Sequence, residues 1–127
     1  MPEELRKHIR LNVEVPVRYK FVSLQGIMYG ATERIFEGMT RDLSAGGMCL
    51  NGKVPEEEYL DKLLSGKLGL ALNWQLPTDE TFRAKGLVKW IGNYTERTRS
   101  VPMGVSFDDL DNSSKDAIFR FVAKQKR

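Results

Sequence analysis

"LNVEVPVRYKF", Leu11 to Phe21, decides the fold. Leu11, Val13, Val15, Val17, Tyr19 and Phe21 are apolar, and Asn12, Glu14, Arg18 and Lys20 between them are polar or charged. Successive side chains of an extended chain point to opposite faces, so this period of two predicts a half-buried antiparallel strand. Pro16 falls on the polar face. It has no N–H to give to a ladder, which places it at an edge or a bulge.

Working outward, the same period recurs. Gly26 and Gly30 mark a turn or long hairpin, and strand character resumes over Thr32–Met39. "GMCLNG", Gly47–Gly52, reads as a short strand ending at an Asn51-Gly52 turn. "KLGLALNWQL" sets Leu68, Leu70, Leu72 and Trp74 on one face, and "LPTDET" turns the chain. Phe82–Asn93 is a further strand with Gly86 at a bulge position, and Val101–Phe107 is the last. Two segments have helical spacing instead. Pro55 with Glu56, Glu57 and Glu58 suits a first helical turn; Tyr59, Leu60, Leu63 and Leu64 share a face, and Gly66 stops the run. The closing "DDLDNSSKDAIFRFVAKQKR" predicts a helix capped at Asn112 or Ser113, with Leu110, Ala117, Ile118, Phe121 and Val122 as its apolar stripe. No internal repeat, low-complexity tract or linker interrupts the pattern. So many short strands around one small core predict a mainly all-β fold: about six strands, mostly antiparallel, in a closed or nearly closed β-barrel, with a short connector helix and a C-terminal α-helix against its open end or side. Residues 1–10 read as a flexible arm, and residues 11–127 as the barrel with its helix.

Composition narrows the functional classes. The chain has 127 residues, about one domain, with 41% hydrophobic and 29% charged residues, which excludes disorder throughout. No apolar run approaches the roughly 18 residues of a membrane span, and "MPEELRKHIR" lacks the apolar centre of a secretory signal. Cys49 is the sole cysteine, so no internal disulfide or thiolate metal cluster forms, and a cytoplasmic, reducing location is expected. A net charge of +3 and a pI near 9.1 are too mild for a nucleic-acid coat.

Enzymatic readings find little support. His8 is the one histidine, and Cys49 sits among apolar neighbours as a small core residue, so a Cys–His dyad would need two distant residues to meet. Neither alone nor together can they hold zinc. GxSxG, P-loop and GxGxxG motifs are absent. No catalytic residue and no metal site are assigned.

Binding chemistry is better supplied. Arg6 and Arg10 lie four apart in the arm, with Lys7 beside them. Guanidinium makes forked hydrogen bonds to phosphate oxygens or to guanine O6 and N7, and stacks on flat π systems. About thirty residues on, "TRDLSAGGMCL" carries Asp42, Ser44, Gly46 and Gly47. If the segment is extended, Asp42 and Ser44 share a face. A carboxylate accepts from guanine N1–H and N2–H2, a serine hydroxyl donates to phosphate, and glycines permit positive φ and close approach. A plain turn into a strand accounts for the same residues taken alone.

Together the two motifs resemble the PilZ domain family, which carries RxxxR in an N-terminal arm and [D/N]xSxxG at the start of a barrel strand. Here they read Arg6-Lys7-His8-Ile9-Arg10 and Asp42-Leu43-Ser44-Ala45-Gly46-Gly47. "RLNVEVPVRYKF", "AKGLVKWIGN" and "MGVSFDDLDNSSKDAIFRFV" are similar to the family's first strand, later strands and closing helix, so the likeness covers nearly the whole chain. It implies a six-stranded antiparallel β-barrel with a C-terminal helix, a receptor for cyclic di-GMP. Arg6 and Arg10 would grip guanine and phosphate as the arm folds over the ligand. Asp42, Ser44 and Gly47 would line the barrel beneath, with Lys7 and Gly46 in support. No cofactor beyond that ligand is implied. The output would pass through an unidentified protein effector in motility, exopolysaccharide synthesis or biofilm formation. In the family, an arginine just before the first motif arginine favours a stacked ligand pair. Leu5 stands there, which implies one ligand per chain. Competing expectations are a PilZ-like pilus or motility adaptor that does not bind the dinucleotide, and a small barrel that binds nucleic acid. The inward placing of most aromatics counts against the latter.

Overall fold

The computed structural model describes residues 9–24 and 34–125. The turn expected around Gly26 and Gly30, and the arm through His8, lie outside those residues. Six strands, β1 (Pro16–Ser23), β2 (Phe36–Leu43), β3 (Gly47–Lys53), β4 (Leu68–Gln75), β5 (Thr81–Ile91) and β6 (Ser100–Phe107), are joined by α1 (Tyr59–Leu64) and followed by α2 (Asn112–Gln125). The strands close into an antiparallel barrel in the order β1-β2-β3-β6-β5-β4. This is the architecture that the alternation predicts.

The inward residues of β1 are Val17, Tyr19 and Phe21, all buried, while Pro16, Arg18 and Lys20 are exposed. Pro16 is the first strand residue rather than a bulge, a position where its missing N–H is tolerated. Leu11–Val15 run ahead of it outside the regular ladder. Leu11 and Leu43 exchange both backbone bonds at 2.9 Å. Thr40, 1% exposed, accepts the Val15 N–H at 2.8 Å and donates its hydroxyl to the Val13 carbonyl. That pairing satisfies a buried hydroxyl and pins the incoming chain to β2.

Two aromatic groups fill the barrel. Phe21 meets Phe36 and Tyr59 edge-on at 5.3 and 5.2 Å between centroids, so α1 contributes its Tyr59 to the core. Trp74 stacks with Phe82 at 5.5 Å and with Phe107 at 5.1 Å. Ala117, Ile118, Phe121 and Val122 of α2 are buried, as their helical spacing requires.

Several local details differ from the sequence reading. Asn51 and Gly52 lie inside β3, which continues to Lys53. Gly86 is no bulge: it keeps register opposite Leu70 and Phe107. The helix α2 is capped by Asp111, not by Asn112 or Ser113, because the Asp111 carboxylate accepts the Ser114 N–H at 2.7 Å. That bond holds the carboxyl below its usual range. Its contribution to stability is therefore complete above the unfolded carboxyl pKa and is lost as pH falls through the lower folded value. Gly47 brings β3 against β6: a Cβ there would lie 2.1 Å from the Val105 carbonyl oxygen.

The Tyr19 hydroxyl accepts the Lys53 N–H and donates to the Lys53 carbonyl, each at 2.6 Å, tying β1 to the end of β3 across the barrel. Burial pushes this phenol up to about 12, against the opposing effect of the Lys53 backbone. Tyr19→Phe leaves both Lys53 groups unpaired and is expected to cost about 1–2 kcal/mol in urea denaturation. In the wild type, the raised phenol supports the fold fully below about pH 10 and ceases to do so as pH rises towards 12. The difference in stability between wild type and Tyr19→Phe should shrink over that range. Gly47→Ala should cost more than about 2 kcal/mol, because β3 cannot keep its distance from β6. A melting temperature within a degree or so of wild type would contradict this.

Candidate functional site

The sheet deviates from strict alternation at two places, and both build one surface. In β2 the register shifts between Thr40 and Asp42. Counting in twos from buried Phe36 and Thr40 would send Asp42 inward. The extra residue sends Leu43 inward instead and leaves the Asp42 side chain 26% exposed. In β5 the register shifts between Val88 and Trp90. Phe82, Ala84 and Val88 face the core, yet Trp90 is 48% exposed. The pairings Asp42↔Cys49, Cys49↔Gly104 and Gly104↔Trp90 then run in one row across β2, β3, β6 and β5 on the outer wall.

Within this row the side chains fit one another closely. A Cβ on Gly104 would fall 1.9 Å from the Trp90 indole nitrogen, so the ring lies directly on the glycine backbone. Cys49, opposite Gly104, faces outward with 5% exposure and lines the clefts between Asp42 and Trp90. It is thus not a core residue like its neighbours Met48 and Leu50. Burial, and next the Asp42 charge, push its thiol above the ordinary range, so it is a poor nucleophile.

Arg10 reaches this surface. Its Nη1 donates to Asp42 Oδ1 at 2.8 Å, joining residues 32 apart in the chain. The arginine side chain remains 49% exposed. The mutual Leu11–Leu43 bonds position it: each strand segment brings its motif residue to the same level of the barrel. Arg6 and Lys7 lie outside the described residues.

Ser44 and the glycines build the turn beside this surface. Ser44 is fully buried and does not share a face with Asp42. Its N–H and hydroxyl both donate to the Gly47 carbonyl, at 2.9 and 3.3 Å, and its oxygen accepts the Gly46 N–H at 3.2 Å. These bonds make the tight connection from β2 to β3. Neither glycine uses positive φ; among the described residues that glycine is Gly66, at the end of α1. Gly47 is required by the approach of β6.

The wall therefore offers a carboxylate and a flat indole within one row, with an arginine bonded to the carboxylate. Guanidinium and carboxylate present the donors and acceptors that a purine edge and a phosphate need, and the indole presents a stacking plane. Trp90 escaped the sequence reading because its parity in β5 points inward; only the shift at Val88 turns it out. Among the described residues no cluster of three or more histidine, cysteine, aspartate or glutamate side chains is arranged to hold a metal ion. Nor is any described helix long and apolar enough to cross a membrane.

Comparison with known proteins bears on this surface. The PilZ domain model matches residues 4–124. No curated protein matches the sequence. Among solved structures, the inhibitor of motility MotI/DgrA from Bacillus subtilis aligns with a TM-score of 0.67 at 14% identity, over 95% of this chain and 51% of its own. The chain thus spans about half the length of that protein. The PilZ domain of CeSA from a cellulose-synthesizing bacterium aligns with a TM-score of 0.56 at 19% identity, over 93% of this chain and 98% of its own. The PilZ domain of YcgR from Escherichia coli, solved with c-di-GMP, aligns with a TM-score of 0.58 at 10% identity, over 93% and 88%. At these identities the structures show a shared barrel. Because the family match extends over almost the whole sequence, including both arginines and the Asp42–Gly47 turn, the chain belongs to the PilZ domain family.

Proposed function

We propose that this chain is a cyclic di-GMP receptor or adaptor that turns dinucleotide binding into a changed protein-interaction surface controlling motility, exopolysaccharide or biofilm output. PilZ domains are binding modules, typically receptors for this dinucleotide. The observation that carries the reading is the Arg10–Asp42 pair on the outer wall. It joins the last arginine of RxxxR to the first residue of [D/N]xSxxG, and Trp90 lies in the same row as that carboxylate.

In this mechanism Arg10 exchanges Asp42 for phosphate or guanine. Arg6, with Lys7, closes from the arm, and Asp42 is released to accept from a guanine edge. Gly46 and Gly47 supply backbone beneath the ligand, with Ser44 holding their turn. The Arg10–Asp42 contact is an exposed ion pair, worth little by itself, so its exchange costs little. The surface that changes is the one the arm covers when the ligand is bound. With Leu5 before Arg6, one ligand per chain is the proposed stoichiometry.

A second reading has one observation in its favour. The Ser44 hydroxyl and the Gly46 N–H are already bonded to each other within the turn. A barrel whose turn stays closed would act as an adaptor without the dinucleotide.

Titration calorimetry with cyclic di-GMP, GTP and a single-stranded oligonucleotide separates these readings. The wild type should bind the dinucleotide. Arg10→Ala should weaken binding by at least about tenfold, since charge-assisted hydrogen bonds contribute roughly 1.5–3 kcal/mol. Asp42→Ala should weaken it by a similar factor. Binding should also shift the emission of the exposed Trp90, and Trp90→Phe should abolish that shift. Oligonucleotide binding without dinucleotide binding would overturn the proposal. Failure to bind either would support the adaptor reading.

A further inference from the structure

A second surface stands on another wall of the barrel, around β4, which lies across the ring from β3. Two cross-strand rows define it: Arg18↔Asn73↔Arg83 and Lys20↔Ala71↔Lys85. Strand neighbours lie about 4.8 Å apart, so the cations of β1 and β5 form two rails roughly 10 Å apart. Between them, β4 contributes the short uncharged side chains of Asn73 and Ala71. The result is a trough of about 640 Å³ running along β4. Ile35, 67% exposed, also lines it, one residue before Phe36, the partner of Tyr19 in β1.

Cations outnumber carboxylates among the described residues that line this trough: Arg18, Lys20, Arg83 and Lys85 against Asp109. Among the described residues, none of the four cations makes an ion pair. Glu37 faces Arg18 across the β1–β2 pairing without bonding to it. Asp109 lies at the rim, where one of its oxygens accepts the Lys85 N–H at 2.6 Å, and its single charge leaves the four cations in excess. Four like charges on one small wall repel one another, a cost that an anionic occupant would relieve.

We propose that this trough binds an extended acidic segment of a partner protein. Cations on each rail repeat every second residue, about 6.8 Å along the strand. An extended peptide with carboxylates at alternate positions repeats at the same interval. The exposed Ile35 and the Ala71 floor ask for apolar side chains among those carboxylates, which a phosphate backbone does not provide. Nor does this wall offer a stacking plane for bases, since Tyr19 keeps its ring in the core. A membrane surface would meet the rims and leave the trough empty. The proposal takes up the protein partner of the receptor reading. Its residues are separate from Arg10 and Asp42, so the two can fail independently.

The test is a titration of the isotope-labelled protein with a short peptide of glutamate, leucine and serine, followed by backbone amide shifts. The peptide with glutamine for glutamate, a thymidine oligonucleotide and phosphatidylglycerol vesicles are run alongside. Shifts should concentrate in the segments around Arg18–Lys20, Ala71–Asn73 and Arg83–Lys85. Affinity should fall about tenfold or more in Arg83→Glu/Lys85→Glu and in Arg18→Glu/Lys20→Glu. It should also fall as salt rises. Both variants should keep the wild-type response to cyclic di-GMP, whether that is binding or none, and a wild-type melting transition. The proposal is overturned by equal binding of the glutamine peptide, by shifts on another wall, or by no shifts up to about 1 mM of the acidic peptide. It is also overturned if the oligonucleotide or the vesicles bind and the peptide does not.

Discussion

The phase of the inward–outward alternation governs what this barrel can show to solvent. A strand that keeps strict phase commits every second residue to the core. Asp42 and Trp90 both stand at core parity, and both are turned out by one register shift, in β2 and β5 respectively. Removing either shift would bury a carboxylate or a large indole at the barrel centre and leave the outer row without it. Each local break in the ladder thus places a carboxylate or an indole on the same wall. The cover over Cys49 and the glycine at 104 follow from that row, while the Leu11–Leu43 bonds set the reach of Arg10.

Barrel and helices were legible because they rest on periodicity. Val15 to Phe21, Leu68 to Trp74 and the stripe of α2 are buried in the pattern their spacing dictates. Phase shifts were not legible, because a bulge leaves composition unchanged and appears only when two strands pair. Cys49 differs for another reason: in "GMCLNG" it reads as one more apolar residue, which hides the plain alternation that turns it outward between Met48 and Leu50. Asn51-Gly52 looked like a turn because its propensity is strong, but β6 supplies a pairing partner that keeps the strand extended to Lys53. The cap of α2 moved by one residue to the side chain that reaches the Ser114 N–H first.

The motif residues divide by task. Arg10 and Asp42 meet on the surface across 32 residues, which the sequence motifs anticipate. Ser44 and Gly47 act within the scaffold: the one closes the β2–β3 connection and the other lets β6 approach. A motif read as a list of ligand contacts thus mixes groups that touch solvent with groups that hold those in place. The distinction matters for interpreting substitutions, since a change at Ser44 or Gly47 also alters the turn itself.

The contact between Trp90 and Gly104 joins two positions that are far apart in sequence. The indole occupies the volume where any larger residue at 104 would begin, and without the indole that backbone would be open to water. A side chain at 104 would have to displace the indole. Among descendants of this sequence the two should drift as a pair, an aromatic at one accompanied by a glycine at the other. Their joint inheritance would then record which lineages kept this wall.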